Sequence, residues 1–401
     1  MSAAILAVNA GSSSLKFALF AGDSSACLAR GEVAGLHGPA PRLTTQRAEQ
    51  APESQALGGS ADAESALRGM LDWLDAHFPH VPLCAIGHRV VHGGMSFTAP
   101  VVVDDAILDN LEALDPLAPQ HQPHNLAALR ALRERFPDAL PVACFDTAFH
   151  AGWDDSAARI ALPRRFHDAG IRRYGFHGLS YQYLGTRVRT LAPGATRVVL
   201  AHLGSGASLC ALRDGRSIDC TMGFSVLDGL PMATRCGAID PGVIFHLHRR
   251  HALGFKQIER MLYYDSGLKG VSGSSADMRE LCASPRPEAR QAVELFTRHC
   301  VSAVGAMTAV LGGLDAMLFS GGIGAHAAEV RAAICAPLQF LGVQIDAAAN
   351  RANRECVSAA SSRVPVFALQ TDEESMIAAH CRALLGAATD VDGMRTKGAA
   401  R

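Results

Sequence analysis

Val8-Asn9-Ala10-Gly11-Ser12-Ser13-Ser14 is a short glycine–serine loop after an apolar run, and Ala201-His202-Leu203-Gly204-Ser205-Gly206-Ala207 is its near copy in the second half of the chain. One constant offset aligns Gly11 with Gly204, Ser12 with Ser205, Ala18 with Ala211 and Leu19 with Leu212. Each loop joins two predicted strands and indicates a hairpin turn that presents backbone N–H groups and small hydroxyls to an anion. Either loop alone is more typical of an ordinary hairpin, but the repetition predicts a duplicated architecture in which the two turns hold a polyphosphate across a cleft.

The composition describes a globular protein of two or three domains. The chain has 401 residues, of which 49% are hydrophobic and 19% are charged, and these values predict a large core. The formal net charge of −1 gives no global field that would favour nucleic acid or an anionic membrane, so neither is an expected partner. Eleven cysteines include no Cys-x-x-Cys pair, and most lie in apolar runs that predict small buried residues. Because the sequence shows no secretory signal, a reducing cytoplasm is expected.

Hydrophobic spacing predicts the regular elements of the chain. Helices are expected at 62–78, 124–136 and 287–312, and strands at 5–8, 15–20, 83–91, 141–145, 317–319 and 363–369. The segment 39–59 is rich in Pro, Gly, Gln and Ala, and we interpret it as an exposed loop with weak strand content. A last helix is expected to end near residue 385.

Several polar side chains are predicted at the ends of strands and helices. Arg89 lies between apolar strand residues and before a glycine pair, which favours an anion-binding role over a surface ion pair. Asp146 follows a strand at the edge where α/β sheets bind ligands, although it could equally cap the next segment. His121 is framed by prolines, and His177 lies beside glycines at a helix N-terminus, where it could contact an anion.

The familiar nucleotide and hydrolase motifs are missing from the sequence. It has no Walker-A loop, His-Glu-x-x-His motif or Gly-x-Ser-x-Gly motif, and residues 322–327 match a dinucleotide fingerprint only loosely. If this chain binds ATP, it must therefore use several separate Gly/Ser turns. That pattern is typical of actin-like ATPases, in which two related α/β domains enclose the nucleotide.

The assembled motifs closely resemble those of the acetate kinase family, over nearly the whole chain from Ile5 to about Ala379. The segments that carry the resemblance are Val8–Lys16, His88–Gly94, Arg173–Gly178, Met222–Pro241 and Gly321–Gly324. The resemblance implies an α/β protein with two actin-like, ribonuclease H-like domains, a duplicated core and a nucleotide cleft between the domains. The first domain would comprise residues 1–149 and 373–387, the second would comprise 150–372, and 388–401 would be a disordered tail.

The resemblance also implies a role for each site residue. The catalytic residues would be Asp146, Arg89, Arg235, His177 and His121. Arg89 would also bind the substrate carboxylate, and Val91 and Phe176 would form the pocket for its methyl group. The ATP-binding residues would be Lys16, Ser12, His202, Leu203, Gly204, Ser205, Gly206, Asp277, Met278, Arg279, Gly322, Ile323, Gly324, Ala325 and His326. Asn9 and Glu373 would position Mg²⁺ or Mn²⁺, and two chains would associate as a homodimer through the second domain.

A carboxylate as phosphoryl acceptor suits these residue types. The acceptor is already ionised at neutral pH, so its phosphorylation needs no strong base. Catalysis must instead come from positioning and charge neutralisation in a loose transition state. Arginine is suited to planar recognition of such anions. Asp146 would then orient Arg89 or bind a water on the metal, rather than act as a base.

The resemblance predicts reversible transfer of the γ-phosphate of ATP to acetate, giving acetyl phosphate and ADP. Five positions depart from the usual family pattern: Ser205 replaces Asn, Ala325 and His326 replace Glu-Asn, Gln120 replaces Leu, and Val226 replaces Pro. Propionate or butyrate therefore remains an alternative acid, because one methylene is worth only about 1–3 kcal/mol in a hydrophobic pocket. More distant alternatives are an actin-like ATPase and a sugar or glycerol kinase.

Overall fold

The protein consists of two α/β units, each with its own sheet. A computed structural model describes residues 3–11, 14–36, 38, 40–58 and 62–398, the last of these with backbone alone from residue 388 onward. The first unit comprises Met1–Ala148 and Asp372–Arg401, and the second comprises Phe149–Thr371. The predicted α/β class is confirmed.

Eight strands form the sheet of the first unit. They are β1 (Ala4–Ala10), β2 (Ser14–Ala21), β3 (Cys27–Ala34), β4 (Arg42–Arg47), β5 (Glu53–Ala56), β6 (Leu83–Val90), β7 (Val101–Val102) and β8 (Leu140–Phe145). Their order across the sheet is β5-β4-β3-β2-β1-β6-β8-β7. Strands β1 to β5 form an antiparallel meander, β6 and β8 are added parallel to β1, and β7 is antiparallel to β8.

Helices cover both faces of this sheet. The first three are α1 (Ala63–His77), α2 (Asp105–Glu112) and α3 (Gln122–Arg135), and Asp62 caps α1 by accepting the Ser65 N–H. Leu6 and Val8 of β1 point to one face, where they pack with Met70 and Trp73 of α1. On the other face the last helix of the chain covers Gly87, where an added Cβ would lie only 2.3 Å from Ile377. Glycine is required at this position because that helix approaches the strand so closely.

Five strands form the sheet of the second unit in the order β11-β10-β9-β12-β13. They are β9 (Arg197–Leu203), β10 (Ala207–Arg213), β11 (Arg216–Cys220), β12 (Ala316–Ser320) and β13 (Val366–Ala368). The helices of this unit are α4 (Asp155–Ala158), α5 (Arg164–Asp168), α6 (Gly178–Leu191), α7 (Pro241–His251), α8 (Phe255–Tyr264), α9 (Gly267–Ser272), α10 (Met278–Ala283), α11 (Pro287–Leu311), α12 (Gly321–His326), α13 (Ala328–Cys335) and α14 (Ala347–Arg351). The last helix of the chain, α15 (Glu373–Gly398), belongs to the first unit. Short 3₁₀ turns lie at Asp115–Leu117, Ala148–His150 and Ala336–Leu341.

The two sheets share one core topology. In each sheet three consecutive antiparallel strands are followed by two parallel ones, in the order β3-β2-β1-β6-β8 in the first unit and β11-β10-β9-β12-β13 in the second. The repeated loops join the equivalent strands, β1 to β2 and β9 to β10. The predicted duplication of an actin-like core is confirmed.

The repeat differs in the length of its turn. Ala10 pairs with Leu15 across residues 11–14, whereas Leu203 pairs with Ala207 across residues 204–206. The first turn is therefore one residue longer, and the constant sequence offset fails beyond it. Ala18 is equivalent to Cys210 rather than to Ala211, because Ala7 pairs with Ala18 while Leu200 pairs with Cys210.

Two further expectations need correction. The segment 39–59 contains β4 and β5, because alternate β4 residues, Leu43 and Thr45, are buried while β4 pairs with β3. Helix α15 continues to Gly398, into the segment 388–401 that was predicted to be disordered, because Ala, Met, Arg and Lys favour helix and no proline interrupts them. Within the described part of the chain, none of the helices has the length and apolar character that a membrane span requires.

Candidate active site

Arg89 is the centre of a charged cluster in the first unit. It lies on β6, and its Nε donates to both Asp146 oxygens at 3.1 and 3.0 Å, while Nη2 donates to Oδ2 at 2.5 Å. Asp146 directly follows β8 and is 1% exposed. Burial opposes the positive charge of Arg89, but Asp146 and Glu373 outweigh burial and raise the pKa of the guanidinium above its usual value. The guanidinium is therefore always charged and held in one orientation.

Two other predicted residues complete this cluster. Asn9 accepts a hydrogen bond from Arg89 Nη1 at 3.0 Å and donates to Glu373 Oε2 at 3.2 Å. Lys16 pairs with Asn9 across β1 and β2, which places the two side chains on the same face. Glu374, next in the chain to Glu373, has its pKa raised to about 7 by burial and by the charge of Glu373. Two neighbouring carboxyl groups therefore lie at the start of α15, and burial favours the neutral form of Glu374.

Two amide side chains that sequence reasoning missed hold the loop after β6. Gln122 accepts the His92 N–H through Oε1 and donates through Nε2 to the His92 carbonyl. Asn125 accepts the Val91 N–H and donates to the carbonyl of Ala10, at the start of the first repeated turn. Both residues lie on α3 and are buried. Asn125 thus connects the segment that carries Val91 to the Gly11 turn, and Gln122 holds the main chain of His92.

The structure places His121 at the N-terminus of α3. It is the N-cap residue, and its carbonyl accepts the Asn125 N–H at 3.1 Å. Its neighbour Gln120 is half-buried. Ser12, a predicted ATP-binding residue, lies outside the described residues, so the first turn is described only at Gly11 and Ser14.

In the second unit, His177 and His202 form a stacked pair. Their ring centroids are 4.3 Å apart with an interplanar angle of 24°. His177 caps α6 in the left-handed conformation with φ 59°, which is uncommon for a residue other than glycine. Its Nδ1 lies 2.7 Å from Ser208 Oγ, and His202 Nδ1 lies 2.8 Å from Ser180 Oγ. A strained backbone and paired ring nitrogens fix the orientation of both imidazoles.

The repeated turn of the second unit is adjacent to this pair. A Cβ added to Gly206 would lie 3.2 Å from His177 Nε2 and 3.6 Å from Arg235 Nη2. Arg235 also donates through Nη1 to the Val226 carbonyl at 2.7 Å. Val226 is one of the five positions that differ from the usual family pattern, and its main chain supports this arginine. His177, His202, Gly206 and Arg235 are thus brought together around one turn.

The residues expected to bind the nucleoside form two groups. Gly321 has a positive φ of 76°, and a Cβ at this position would lie 2.5 Å from the Leu203 carbonyl oxygen, so glycine is required there. This close approach brings α12 next to the second repeated turn. Predicted ATP-binding residues Gly322, Ile323, Gly324, Ala325 and His326 all lie in α12. In the other group Asp277 caps α10, Met278 is buried, and the exposed Arg279 pairs with Asp277 at 2.6 Å.

Phe176 is buried at 1% exposure. Its carbonyl lies 2.9 Å from His150 Nε2, and His150 itself is buried. Burial lowers the pKa of His150 to about 4, so His150 is neutral and donates a hydrogen bond to Phe176. The ring of Phe176 is therefore held from the backbone by a histidine that sequence reasoning did not single out.

Fixed cations in both units suit the binding of anions, and the duplicated core is that of the actin-like fold. Together they define a phosphoryl-transfer enzyme with two actin-like units. The comparisons agree: the sequence model of the Acetokinase family matches residues 4–379, so the chain belongs to that family. Members of the family are kinases that transfer phosphate to a carboxylate and use a nucleotide as co-substrate.

Relatives and solved structures cover nearly the whole chain. It is 46% identical to the acetate kinase of Methylocella silvestris, over 96% of this chain and 98% of that protein. The structure is similar to a propionate kinase from Francisella tularensis, with TM-score 0.87, 34% identity and coverage of 95% and 99%. It is also similar to Porphyromonas gingivalis acetate kinase, with TM-score 0.84, 32% identity and coverage of 96% and 100%.

Proposed function

We propose that this chain catalyses reversible, Mg²⁺-dependent transfer of the γ-phosphate of ATP to acetate, giving acetyl phosphate and ADP by direct in-line transfer. The observation that carries the proposal is the orientation of Arg89. Asp146 and Asn9 hold the guanidinium by hydrogen bonds. In the sequence, Arg89 precedes the buried Val91 by two residues. A guanidinium held in one orientation suits the bidentate binding of a carboxylate.

In the proposed reaction a carboxylate oxygen of acetate forms a bond to the γ-phosphorus, and the bond from that phosphorus to the β–γ bridging oxygen breaks. Acetate arrives ionised, so no side chain has to remove a proton. Asp146 therefore serves to orient Arg89, with which it shares three donor–acceptor contacts. Val91 and Phe176 would contact the methyl group, and His121 would line the transfer site.

The second unit supplies the groups that we propose stabilise the transferring phosphoryl group. His177 Nε2 and the Arg235 guanidinium both lie beside Gly206. A loose, metaphosphate-like transition state spreads negative charge over the equatorial oxygens, and donors fixed in advance are effective in stabilising such charge. The residues 202–206 and Lys16 would hold the ATP phosphates, and 277–279 and 322–326 would contact the nucleoside. Enclosure of the nucleotide in a cleft stays a prediction.

Asn9 and Glu373 suit Mg²⁺ as ligands or as partners of its bound waters. Mg²⁺ prefers oxygen donors and usually keeps several waters, with one or two carboxylates and the substrate phosphates. The described residues hold no cluster of three or more His, Cys, Asp or Glu that could bind a metal, and a Mg²⁺–nucleotide complex needs no such cluster. Burial, together with the charge of the neighbouring Glu373, raises the pKa of Glu374 to about 7. When bound, the metal would neutralise phosphate charge.

A hydroxamate assay tests the proposal. Purified enzyme with ATP, Mg²⁺ and acetate should form an acyl phosphate that hydroxylamine traps, and formate, propionate and butyrate should be assayed in parallel. A higher kcat/KM for acetate supports the proposal. A higher value for propionate would favour the alternative suggested by the Francisella relative, and ATP hydrolysis without any trapped product would exclude a carboxylate kinase.

We also propose that two chains form a homodimer through the second unit. Helices α7 and α8 contact each other and expose Val243, Phe245, Phe255 and Tyr264, of which Phe255 is 64% exposed. Exposed apolar groups of this kind are typical of protein interfaces. Light scattering should give twice the chain mass of 42.2 kDa, and Phe255→Ser should shift the protein toward monomer. A monomer in the unsubstituted protein would exclude the dimer. The cytoplasmic location stays a prediction.

A further inference from the structure

His177 is connected through Ser208 to a buried tyrosine. Ser208 Oγ lies 2.7 Å from His177 Nδ1 and 2.5 Å from the hydroxyl of Tyr181. Ser208 and Tyr181 are both completely buried, so water cannot replace either hydrogen bond. Hydrogen bonds thus connect Tyr181 through Ser208 to the imidazole of His177.

The direction of these hydrogen bonds follows from the number of donors. The only acceptor that the described part of the chain places against the Tyr181 hydroxyl is Ser208 Oγ, so Tyr181 donates to Ser208. Burial raises the pKa of Tyr181 well above its usual value, so the phenol keeps its hydrogen. With that contact filled, the acceptor that the described residues offer to the hydroxyl hydrogen of Ser208 is His177 Nδ1. His177 Nδ1 therefore accepts, and the ring hydrogen lies on Nε2.

The surroundings of His177 agree with a neutral ring. An imidazolium would carry hydrogens on both nitrogens, and the Ser208 hydrogen would then lose its acceptor. The stacked His202 ring lies 4.3 Å away, so two protonated rings would repel each other. The nitrogen that carries the hydrogen faces Gly206 and the Arg235 guanidinium, at the turn that we propose binds the phosphates.

The second unit contains another chain of hydrogen bonds in which a serine joins an aromatic side chain to a histidine, here with a tryptophan in place of the tyrosine. Trp153 Nε1 donates to Ser217 Oγ at 3.0 Å, and Ser217 Oγ lies 2.7 Å from His150 Nδ1. An indole can only donate, so Ser217 also donates to the histidine, and His150 Nε2–H reaches the Phe176 carbonyl at 2.9 Å. For His150, the Phe176 carbonyl is the acceptor that requires a hydrogen on Nε2.

We propose that Tyr181 and Ser208 are positioning residues that fix His177 as a neutral imidazole with its hydrogen on Nε2, aimed at the transferring phosphoryl group. The role at the phosphoryl group rests on the proposed function, whereas the tautomer does not. His177 would then act as a hydrogen-bond donor to the equatorial oxygens, and Arg235 would supply the positive charge. No proton is transferred in this step.

The tautomer is tested directly by nitrogen NMR on the intact enzyme. Long-range ¹H–¹⁵N spectra of protein labelled at histidine separate the two neutral tautomers from imidazolium. Because the chain has 17 histidines, the His177 signals are assigned by their loss in His177→Gln. We expect unprotonated Nδ1 and protonated Nε2 near neutral pH, with and without Mg²⁺–ADP. A hydrogen on Nδ1 would overturn the proposal even if the enzyme makes acetyl phosphate, and the predicted tautomer would stand even if it does not.

The positioning role is tested by three variants and two cycles. Tyr181→Phe removes only the hydroxyl and should lower kcat about threefold to tenfold with little change in KM, the size expected for one neutral hydrogen bond. Ser208→Ala should lower kcat at least as much. Thr297→Val is the control, because it removes a buried hydroxyl of α11 that donates to the Glu294 carbonyl rather than to a histidine, and kcat should stay within about twofold.

The cycles show whether the effect passes through His177. Tyr181→Phe should not lower kcat further in the Ser208→Ala variant, and Ser208→Ala should not lower kcat further in the His177→Gln variant. The effects of coupled residues are not additive. Additive losses, or an equal loss of kcat in Thr297→Val, would mean that the substitutions act through general packing, and the positioning role would be wrong.

Discussion

Asn9 and His202 occupy the same place in the two copies of the repeated turn, but their surroundings differ in charge. Each lies two residues before the first glycine of its turn. Asn9 bridges the guanidinium of Arg89 and the carboxylate of Glu373. His202 stacks on His177 and bonds the hydroxyl of Ser180. The same hairpin turn thus supports an ionic network in the first unit and a network of imidazole rings and hydroxyl groups in the second.

This difference suggests a division of labour between the copies. In the first unit Arg89 is held by ionised partners, so its position depends on charge. In the second unit His177 is held by hydroxyl groups, so its position depends on the direction of hydrogen bonds. We expect substitutions in the first unit to change binding of the acid and the metal. Substitutions in the second should change turnover more than binding.

Removing the central charge of the first unit should have the largest effect. Arg89→Ala removes the proposed carboxylate ligand and leaves Asp146 buried without its cation, so kcat/KM for acetate should fall by about 10³-fold or more. The hydroxamate assay measures it, and circular dichroism checks that the protein is folded. Arg197→Ala is the matched control because Arg197 also pairs with a carboxylate, Asp315 at 2.5 Å, away from the residues proposed to bind substrate.

Comparing Arg89→Ala with Arg197→Ala shows whether a loss of turnover comes from the proposed site or from breaking any arginine–carboxylate pair. Turnover in Arg197→Ala should stay within about threefold of the unsubstituted enzyme, and its free energy of unfolding should fall only by the small contribution of one partly exposed ion pair. If Arg89→Ala kept its turnover while remaining folded, the ionic network would have no role in the reaction and the proposed function of Arg89 would be wrong.

Asn9 should affect the response to the metal. Asn9→Ala removes the amide that joins Arg89 to Glu373, and we expect the Mg²⁺ concentration for half-maximal rate to rise about tenfold to a hundredfold. A Mg²⁺ titration at saturating ATP and acetate measures this shift. Asn110→Ala is the control, because Asn110 is exposed on α2 and its amide donates to the Ala106 carbonyl. If the Mg²⁺ concentration for half-maximal rate were unchanged in Asn9→Ala, Asn9 would have no role in binding the metal.

The two cores also differ at a buried strand position. Val8 and Ala201 begin the repeated segments, and their partners on the next parallel strand are His88 and Phe319. Burial lowers the pKa of His88 to about 3, and its Nε2 has no hydrogen-bond partner within the described residues. Below pH 6.5 His88 therefore binds a proton in the unfolded chain but stays neutral in the folded chain. The free energy of unfolding consequently decreases as the pH falls from 6.5 toward 3.

His88→Phe makes the first core resemble the second and should remove this acid sensitivity. Between about pH 7.5 and pH 5, the free energy of unfolding of the natural protein should fall by about 2 kcal/mol more than that of the variant. Urea unfolding at the two pH values measures the difference. The buried His92 and His150 are present in both proteins, so their contributions cancel. Equal pH dependence of the two proteins would show that His88 is protonated or exposed in the folded state.

The parts of the fold and site that could be predicted from sequence are those encoded locally. Glycine turns, apolar strands and Arg89 within an apolar run are visible in short windows, and the fold class and duplication followed from them. The one-residue difference between the turns could not be read from aligned glycines, because register depends on which residues pair across the strands. The strands β4 and β5 were missed because they are short and polar on one side.

The supporting residues of the site could not be predicted for a related reason. Gln122 and Asn125 lie on α3, yet they bond the loop after β6, far away in sequence. Tyr181 and Ser208 likewise meet only because α6 packs on β9 and its neighbours. A buried amide or hydroxyl has no periodic signature of its own. The one available signal was their polarity on apolar helix or strand faces, and that signal does not name a partner.

The smallest effect is expected where the second turn departs from the usual family residue. Ser205 is exposed, and its carbonyl, not its side chain, accepts the Ala233 N–H at 3.2 Å. Asn at this position keeps that contact and also carries a donor for phosphate, so in Ser205→Asn the KM for ATP should change by less than about threefold. Steady-state kinetics with ATP and GTP measure it, with Ser225→Asn as the control substitution outside the turn. A larger change would mean that the side chain of the second turn binds the phosphates directly, and that the division between the copies extends to the turns themselves.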